Sequence, residues 1–209
     1  MQYEDPSFLL DALSQRMLRH LPASAWRKVF LKPVDEVMHF TTVHGTFLAA
    51  AAPGPAWTGA AQRDLEFLAR SHGGEIDPCP HDAALVSFDD PHHALAMAIE
   101  LQQAVGEVRW QVGIATGECT LATLQMEGTS LPVLVGGAVD RVETLTRHAT
   151  AGSIRLAPET FELLHDAVVR IAGCMVMTEY DGDEPGVTSL TLAPRSNAFL
   201  STFAGLGLT

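Results

Sequence analysis

Lysine is almost absent from this sequence, and basic residues as a whole are scarce. The 209 residues include 13 lysines and arginines against 25 aspartates and glutamates, which gives a formal net charge of −12 at pH 7. The two lysines, Lys28 and Lys32, both lie near the N-terminus. A surface with this charge repels phosphate backbones, and no segment of the chain has the basic patch that would reverse the repulsion. The sequence therefore argues against nucleic acid as a partner.

Paired cysteines and long apolar runs are also absent. The three cysteines, Cys79, Cys119 and Cys174, are widely spaced and belong to no paired motif, which indicates a reducing compartment rather than a disulfide framework. No apolar run approaches the roughly 18–20 residues that a membrane helix needs. The N-terminal sequence MQYEDPSFLL lacks the pattern of a signal peptide. We expect a cytoplasmic protein with no membrane partner.

Apolar residues make up 47% of the chain, enough to form one packed core. Their periodicity predicts helices and strands that alternate irregularly, which is typical of an α+β sandwich with helices on one face of a mainly antiparallel sheet. The predicted strands are 37–43, 84–88, 108–114, 118–124, 153–157, 168–180 and 187–193, with a loop at 126–132. The predicted helices are 6–21, 58–71, 91–105, 138–148 and one begun by Pro158. This gives an N-terminal helix and connector at 1–35, a domain at 36–193 and a tail at 194–209.

Four segments from His39 to Leu164 resemble, in order and spacing, the catalytic domain of class III nucleotidyl cyclases. The segments are HGGEI at 72–76, followed by Asp82 and a helix begun by Pro91; VGIATGE at 112–118; LVGGAVD at 134–140; and AGSI at 151–154. The resemblance implies a ferredoxin-like βαββαβ core. It also implies a dimer in which each active site is built from both subunits.

The resemblance further implies which residues would carry the chemistry. Active members hold two divalent cations on two aspartates, read the base with a lysine and a second polar residue, and stabilise the transition state with an asparagine and an arginine one helical turn apart. Asp82 matches one of the two aspartates. The other five positions are replaced, in that order, by Thr42, Pro78, Val133, Asp140 and Thr144.

These replacements remove charges and donors that the reaction needs. The hydroxyl of Thr42 does not substitute for a metal-binding carboxylate, and Pro78 offers neither a side-chain donor nor a backbone N–H. Asp140 adds negative charge where phosphates would lie. Losing one preorganised transition-state contact typically costs about 10²–10³ in rate. The sequence therefore predicts no catalytic residues and no ordinary adenylate or guanylate cyclase activity.

Two interpretations of Asp82 stay open at this point. In one it ligates a lone divalent cation, and in the other its carboxylate accepts hydrogen bonds from the backbone of its turn. The nearby Cys79, His81, His92 and His93 have no Cys-x-x-Cys or His-x-x-x-His spacing, which argues against a metal cluster.

Three functions are compatible with this pattern. The first is an inactive cyclase-homology domain that acts by association, as a homodimer or with a signalling protein. The second is a sensor that binds a nucleotide or another small ligand in the cleft between subunits. The third is a divergent cyclase subunit completed by a different chain. We expect no cofactor, with Mg²⁺ or Mn²⁺ needed only where nucleotide binding remains.

Overall fold

The computed structural model describes residues 38–52, 59–77, 83–103, 108–126, 129–171, 173–181 and 184–192. The predicted helix at 6–21, the connector to residue 35 and the tail at 194–209 lie outside these ranges. The strands are β1 (Met38–Ala51), β2 (Glu75–Ile76), β3 (Ala84–Phe88), β4 (Gln111–Met126), β5 (Thr129–Val135), β6 (Ser153–Leu156), β7 (Cys174–Asp181) and β8 (Glu184–Leu192). The helices are α1 (Gly59–Ser71), α2 (Pro91–Gln103), α3 (Gly137–His148) and α4 (Pro158–Val169).

The eight strands form one sheet in the order β2-β3-β1-β4-β6-β8-β7, with β5 paired to β4. The pair β4 and β6 is parallel, and the other pairs are antiparallel. The predicted α+β class with a mainly antiparallel sheet is confirmed. None of the helices within the described ranges has the length and apolar character needed to span a bilayer.

The two central strands are longer than the sequence predicts. β1 continues past Val43 to Ala51, and β4 is one strand where two are expected. Their pairing is continuous, from Met38 opposite Leu124 to Ala51 opposite Gln111. Alanine is depleted in strands, but Ala49 and Ala50 of β1 pair with β3 on one side and β4 on the other. This double pairing outweighs their low strand propensity.

Two predictions at strand boundaries are wrong. The expected loop at 126–132 is mostly β5, in which Pro132 lies opposite Thr123. An edge strand tolerates proline because one side of its backbone donates no ladder hydrogen bonds. The strand expected from Val168 begins at Cys174, because Val168 and Val169 complete the last turn of α4.

Helices cover both faces of the sheet, whereas the sequence predicts helices on one face. Alternate residues of a strand point to opposite faces. Leu48 and Ala50 of β1 join a core formed with α1, α2 and α4, whereas Phe47 and Ala49 join a second core formed with α3. The α3 residues buried in that second core are Ala138, Val139, Val142 and Leu145.

The helix boundaries follow local sequence. α1 ends where the backbone N–H of Gly74 donates to the Ala69 carbonyl at 2.7 Å, and Gly73 has a φ of 72°. Asp90 precedes α2, and its carboxylate accepts a hydrogen bond of 2.8 Å from the backbone N–H of His92. Hydrogen bonds from the backbone and the ring of His92 hold the pKa of Asp90 below its usual value. Asp90 is therefore the cap, and Asp89 is not.

α3 lies so close to the sheet that the strand beneath it requires glycine. A Cβ at Gly113 would lie 2.6 Å from Thr146 Oγ1 and 2.7 Å from the Val142 carbonyl oxygen. The Thr146 hydroxyl lies 2.8 Å from the Val142 carbonyl and 3.1 Å from the Ala49 carbonyl of β1. This contact ties the C-terminal half of α3 to the sheet.

We expect Gly113→Ala to lower the free energy of unfolding by about 2 kcal/mol, because the added methyl group overlaps α3. Urea denaturation measures the effect. Gly59→Ala is the matched control: the nearest atom to a Cβ there is 3.8 Å away, on Arg63, so the variant should be neutral or slightly more stable. Equal stability of the two variants would mean that α3 can shift from the sheet without cost.

Candidate functional site

The site implied by the resemblance lies where β1 ends beside the hairpin of β2 and β3. Ala50 of β1 pairs with Ala84 of β3, and the chain continues through Ala51 and Ala52. Asp82 precedes Ala84 by two positions and lies outside the described ranges. The strand end beside the hairpin therefore carries alanines, whose methyl groups cannot ligate a cation.

Thr42 does not lie at this strand end. It pairs with Thr120 of β4, eight residues before Ala50, which corresponds to about 26 Å along a strand. The sequence aligns Thr42 with the first aspartate because it predicts that the strand ends near Val43. The structure instead continues β1 to Ala51, so Thr42 lies away from the hairpin.

Val133 is closed off from solvent. It lies on β5 opposite Ala122 of β4, and both residues are 1% exposed. Val135, two residues further on the same face, is fully buried. The Val133 side chain has no polar atom to recognise a nucleotide base, and its burial keeps it from contacting one. Pro78, the other base-reading position, lies outside the described ranges.

Glycines hold the turn that leads into α3. Gly136 and Gly137 have φ values of 73° and 50°, a conformation that side chains other than glycine rarely adopt. A Cβ on Gly137 would overlap the backbone carbonyl of Glu118. Close packing of backbone against backbone therefore accounts for this turn without any ligand.

Asp140 and Thr144 lie one turn apart on α3. The Thr144 hydroxyl donates to the Asp140 backbone carbonyl at 2.9 Å, so its hydrogen bond is made within the helix. Asp140 lies in the first turn, where a carboxylate interacts favourably with the positive end of the helix dipole. The same negative charge repels a phosphate. Asp140 thus stabilises the helix, and it cannot donate as an asparagine would.

Arg141, the neighbouring cation, is paired with a carboxylate. Its Nη1 lies 2.7 Å from both carboxylate oxygens of Glu159, in the first turn of α4. Burial tends to raise the pKa of Glu159, but backbone hydrogen bonding and Arg141 outweigh it and hold that pKa below its usual value. The pair links α3 to α4 and partly neutralises the cation that lies nearest to the glycine turn in sequence.

The residues that the structure describes do not form a site for a pair of divalent cations. Across the part of the chain that the structure describes, no three side chains of histidine, cysteine, aspartate or glutamate come together as a metal site. His92 contacts Asp90 at 2.9 Å instead. Asp82 is the one family carboxylate that the sequence keeps. One carboxylate can neither neutralise the charge of two divalent cations nor hold them at the required separation.

Solved cyclase structures share this fold, although no family profile and no curated protein sequence matches the chain. The adenylyl cyclase CyaB from P. aeruginosa gives a TM-score of 0.59 at 17% identity, covering 75% of this chain and 98% of its own. The guanylyl cyclase Cya2 gives 0.57 at 21% identity, covering 75% and 96%. The guanylate cyclase domain of RhGC from Catenaria anguillulae, solved with GTP, gives 0.57 at 13% identity, covering 74% and 100%. The chain therefore has the fold of the class III cyclase catalytic domain.

We expect Asp140→Asn to lower the free energy of unfolding by about 0.5 kcal/mol at low salt, because the first turn of α3 loses a favourable charge. The difference should shrink at high salt, where such interactions are screened. Asp166→Asn is the control, since Asp166 is an exposed acid in the last turn of α4, where a negative charge is unfavourable. Chemical denaturation of both variants at two salt concentrations measures the effect. A gain in stability for Asp140→Asn would contradict its helix-stabilising role.

Proposed function

We propose that this protein is a catalytically inactive member of the class III cyclase family that acts as a regulatory module through protein association. The single observation that carries the proposal is the end of β1, where Ala50 pairs with the first residue of β3 and Ala51 and Ala52 follow. In an active cyclase the first strand supplies a carboxylate to the metal ions beside this hairpin.

Each requirement of cyclisation is weakened separately. The reaction moves the 3′-oxygen of a nucleoside triphosphate onto the α-phosphorus, and pyrophosphate leaves. The end of β1 has no carboxylate to bind a metal ion. The position that would recognise the base is occupied by the buried Val133. Asp140 and Thr144 stand where a hydrogen-bond donor and a cation would stabilise the transition state. A homodimer offers no rescue, because both of its sites draw on the same residues. Losses at several such positions do not simply add, but none of them supplies what another lacks.

The features that match the family are those that folding itself requires. Gly137 packs against the Glu118 carbonyl, and a Cβ at Gly74 would lie 2.6 Å from the side chains of Val86 and Phe88. His72 contacts Glu100 of α2 at 2.8 Å, which connects the end of α1 to the next helix. A chain constrained to fold, but not to catalyse, keeps such residues. In this proposal the fold is kept because the protein associates with a second copy or with a signalling protein.

We expect the purified protein to produce no cyclic nucleotide from ATP or GTP with Mn²⁺ above a control without protein. Asp82→Ala should leave this result unchanged, because one carboxylate does not assemble the metal pair. An active class III cyclase in the same assay shows that product would be detected. Cyclic nucleotide formed by the wild type and lost in Asp82→Ala would overturn the proposal.

A cyclase subunit that needs another chain to complete its site would form no product in that assay when measured alone. Adding an active cyclase chain distinguishes such a subunit from an inactive domain. Turnover of the mixture should equal that of the active chain if this protein contributes nothing to a site. An increase that disappears with Asp82→Ala would favour the subunit role.

A nucleotide sensor is the second candidate, favoured by Asp82 and by the glycine turn at 136–137. Against it stand the packing of Gly137 on Glu118 and the pairing of Arg141 with Glu159, since triphosphates are usually held by unpaired lysines or arginines. We expect calorimetric titration with a non-cyclisable ATP or GTP analogue to give no heat of binding, with or without Mn²⁺. Heat that requires Mn²⁺ and disappears in Asp82→Ala would instead establish a sensor.

A further inference from the structure

The outer edge of the sheet carries exposed apolar side chains on both of its faces. On β7, Met175 is 58% exposed, Val176 41%, Met177 60% and Tyr180 69%. Because side chains alternate along a strand, Met175 and Met177 lie on one face and Val176 lies on the other. A strand with apolar groups on both faces resembles an interior strand more than a solvated edge.

The backbone of this edge is also open. In the described part of the sheet β7 is the last strand and pairs on one side, with β8. Native edge strands are usually protected by charges, proline or a bulge. The segment Cys174–Thr178 has none of these, since the irregularity in β7 comes later, between Thr178 and Tyr180. We call this segment the β7 edge.

The β7 edge is electrically neutral in a strongly acidic protein. The nearest carboxylate along the strand is Glu179, and the side chain of Arg155 on β6 holds it at 2.9 Å. A net charge of −12 makes two copies repel each other over most of their surfaces. An uncharged edge is therefore a place where two copies can approach.

We propose that the β7 edge pairs antiparallel with the β7 edge of a second copy, across a two-fold axis at Val176. Two-fold interfaces must be self-complementary, and this segment is. Val176 then faces Val176 of the second copy, Met175 faces Met177, and Cys174 faces Thr178. In the same register Glu179 lies opposite Gly173, so no carboxylate faces another. The two sheets become one continuous sheet, held by ladder hydrogen bonds and cross-strand apolar pairs.

This pairing gives the association module its surface, and in that respect it rests on the proposed function. Self-association is nevertheless measured without any assay of catalysis, so the two proposals can fail separately. An interface centred on one strand pair is small, and we expect a dissociation constant roughly in the micromolar range.

Sedimentation equilibrium of the full-length protein tests the pairing. We expect reversible formation of a species twice the 22.4 kDa of one chain. Met175→Glu and Met177→Lys should each weaken the dimer about tenfold, because each change occurs at both symmetric positions and places a charge against methionine. Leu163→Lys is the matched control: Leu163 is 55% exposed but lies on α4, and its substitution should leave the dissociation constant unchanged.

The double variant Met175→Glu, Met177→Lys tests the register itself. In the proposed pairing the introduced glutamate of each copy faces the introduced lysine of the other, so the double variant should dimerise more tightly than either single variant. Circular dichroism of every variant checks that it is folded. A full-length protein that stays monomeric at high concentration would overturn the proposal. A double variant weaker than both singles would also overturn it, since the two charges would then act independently.

Discussion

The continuous pairing of β1 with β4 is the interaction on which the rest of this structure depends. It extends over all 14 residues of β1, and it separates the core under α1, α2 and α4 from the core under α3. It places Ala49 below Thr146 and Gly113 below the same turn of α3, which sets the height of that helix above the sheet. It also carries β1 to Ala51, where the strand meets the hairpin. The candidate site is thus positioned by a strand pair whose own residues are almost all apolar or small.

Residues at the positions that the resemblance assigns to cyclisation also affect folding. Two carboxylates arranged to share metal ions repel each other when no cation is bound. Alanine at the end of β1 avoids that repulsion and fits between two strands. Asp140 improves the first turn of α3, where asparagine would carry no charge. The Thr144 hydroxyl donates to the Asp140 carbonyl, so its hydrogen bond is made within the helix.

Local patterns in the sequence predict much of the fold. The stripe of Ala61, Leu65 and Leu68 predicts α1, and each of these residues is buried; the paired glycines at 73–74 predict its end. The hairpin expected at 75–88 has its second arm at 84–88, which are the observed bounds of β3. The length of β1 could not be predicted in this way, because the alanines at 49–51 have no strand preference of their own and form a strand only through pairing with neighbouring strands. The alignment of Thr42 depends on the same boundary, since it assumes a strand that ends near Val43. The side of the sheet taken by α3 is likewise set by long-range contacts such as that of Gly113 with Thr146.

The distribution of charge determines what such a domain can bind. Arg141 pairs with Glu159, and Arg155 pairs with Glu179. Each contact partly neutralises an arginine, and the excess of acidic residues repels a polyphosphate from a distance. The proposed pairing of β7 edges rests on groups that need no charge, which are open backbone amides and apolar side chains. β7 combines both in one edge, and the pairing of Arg155 with Glu179 keeps the neighbouring carboxylate from opposing a second strand. The same charge pattern that repels a polyphosphate therefore leaves the proposed pairing of β7 edges unopposed.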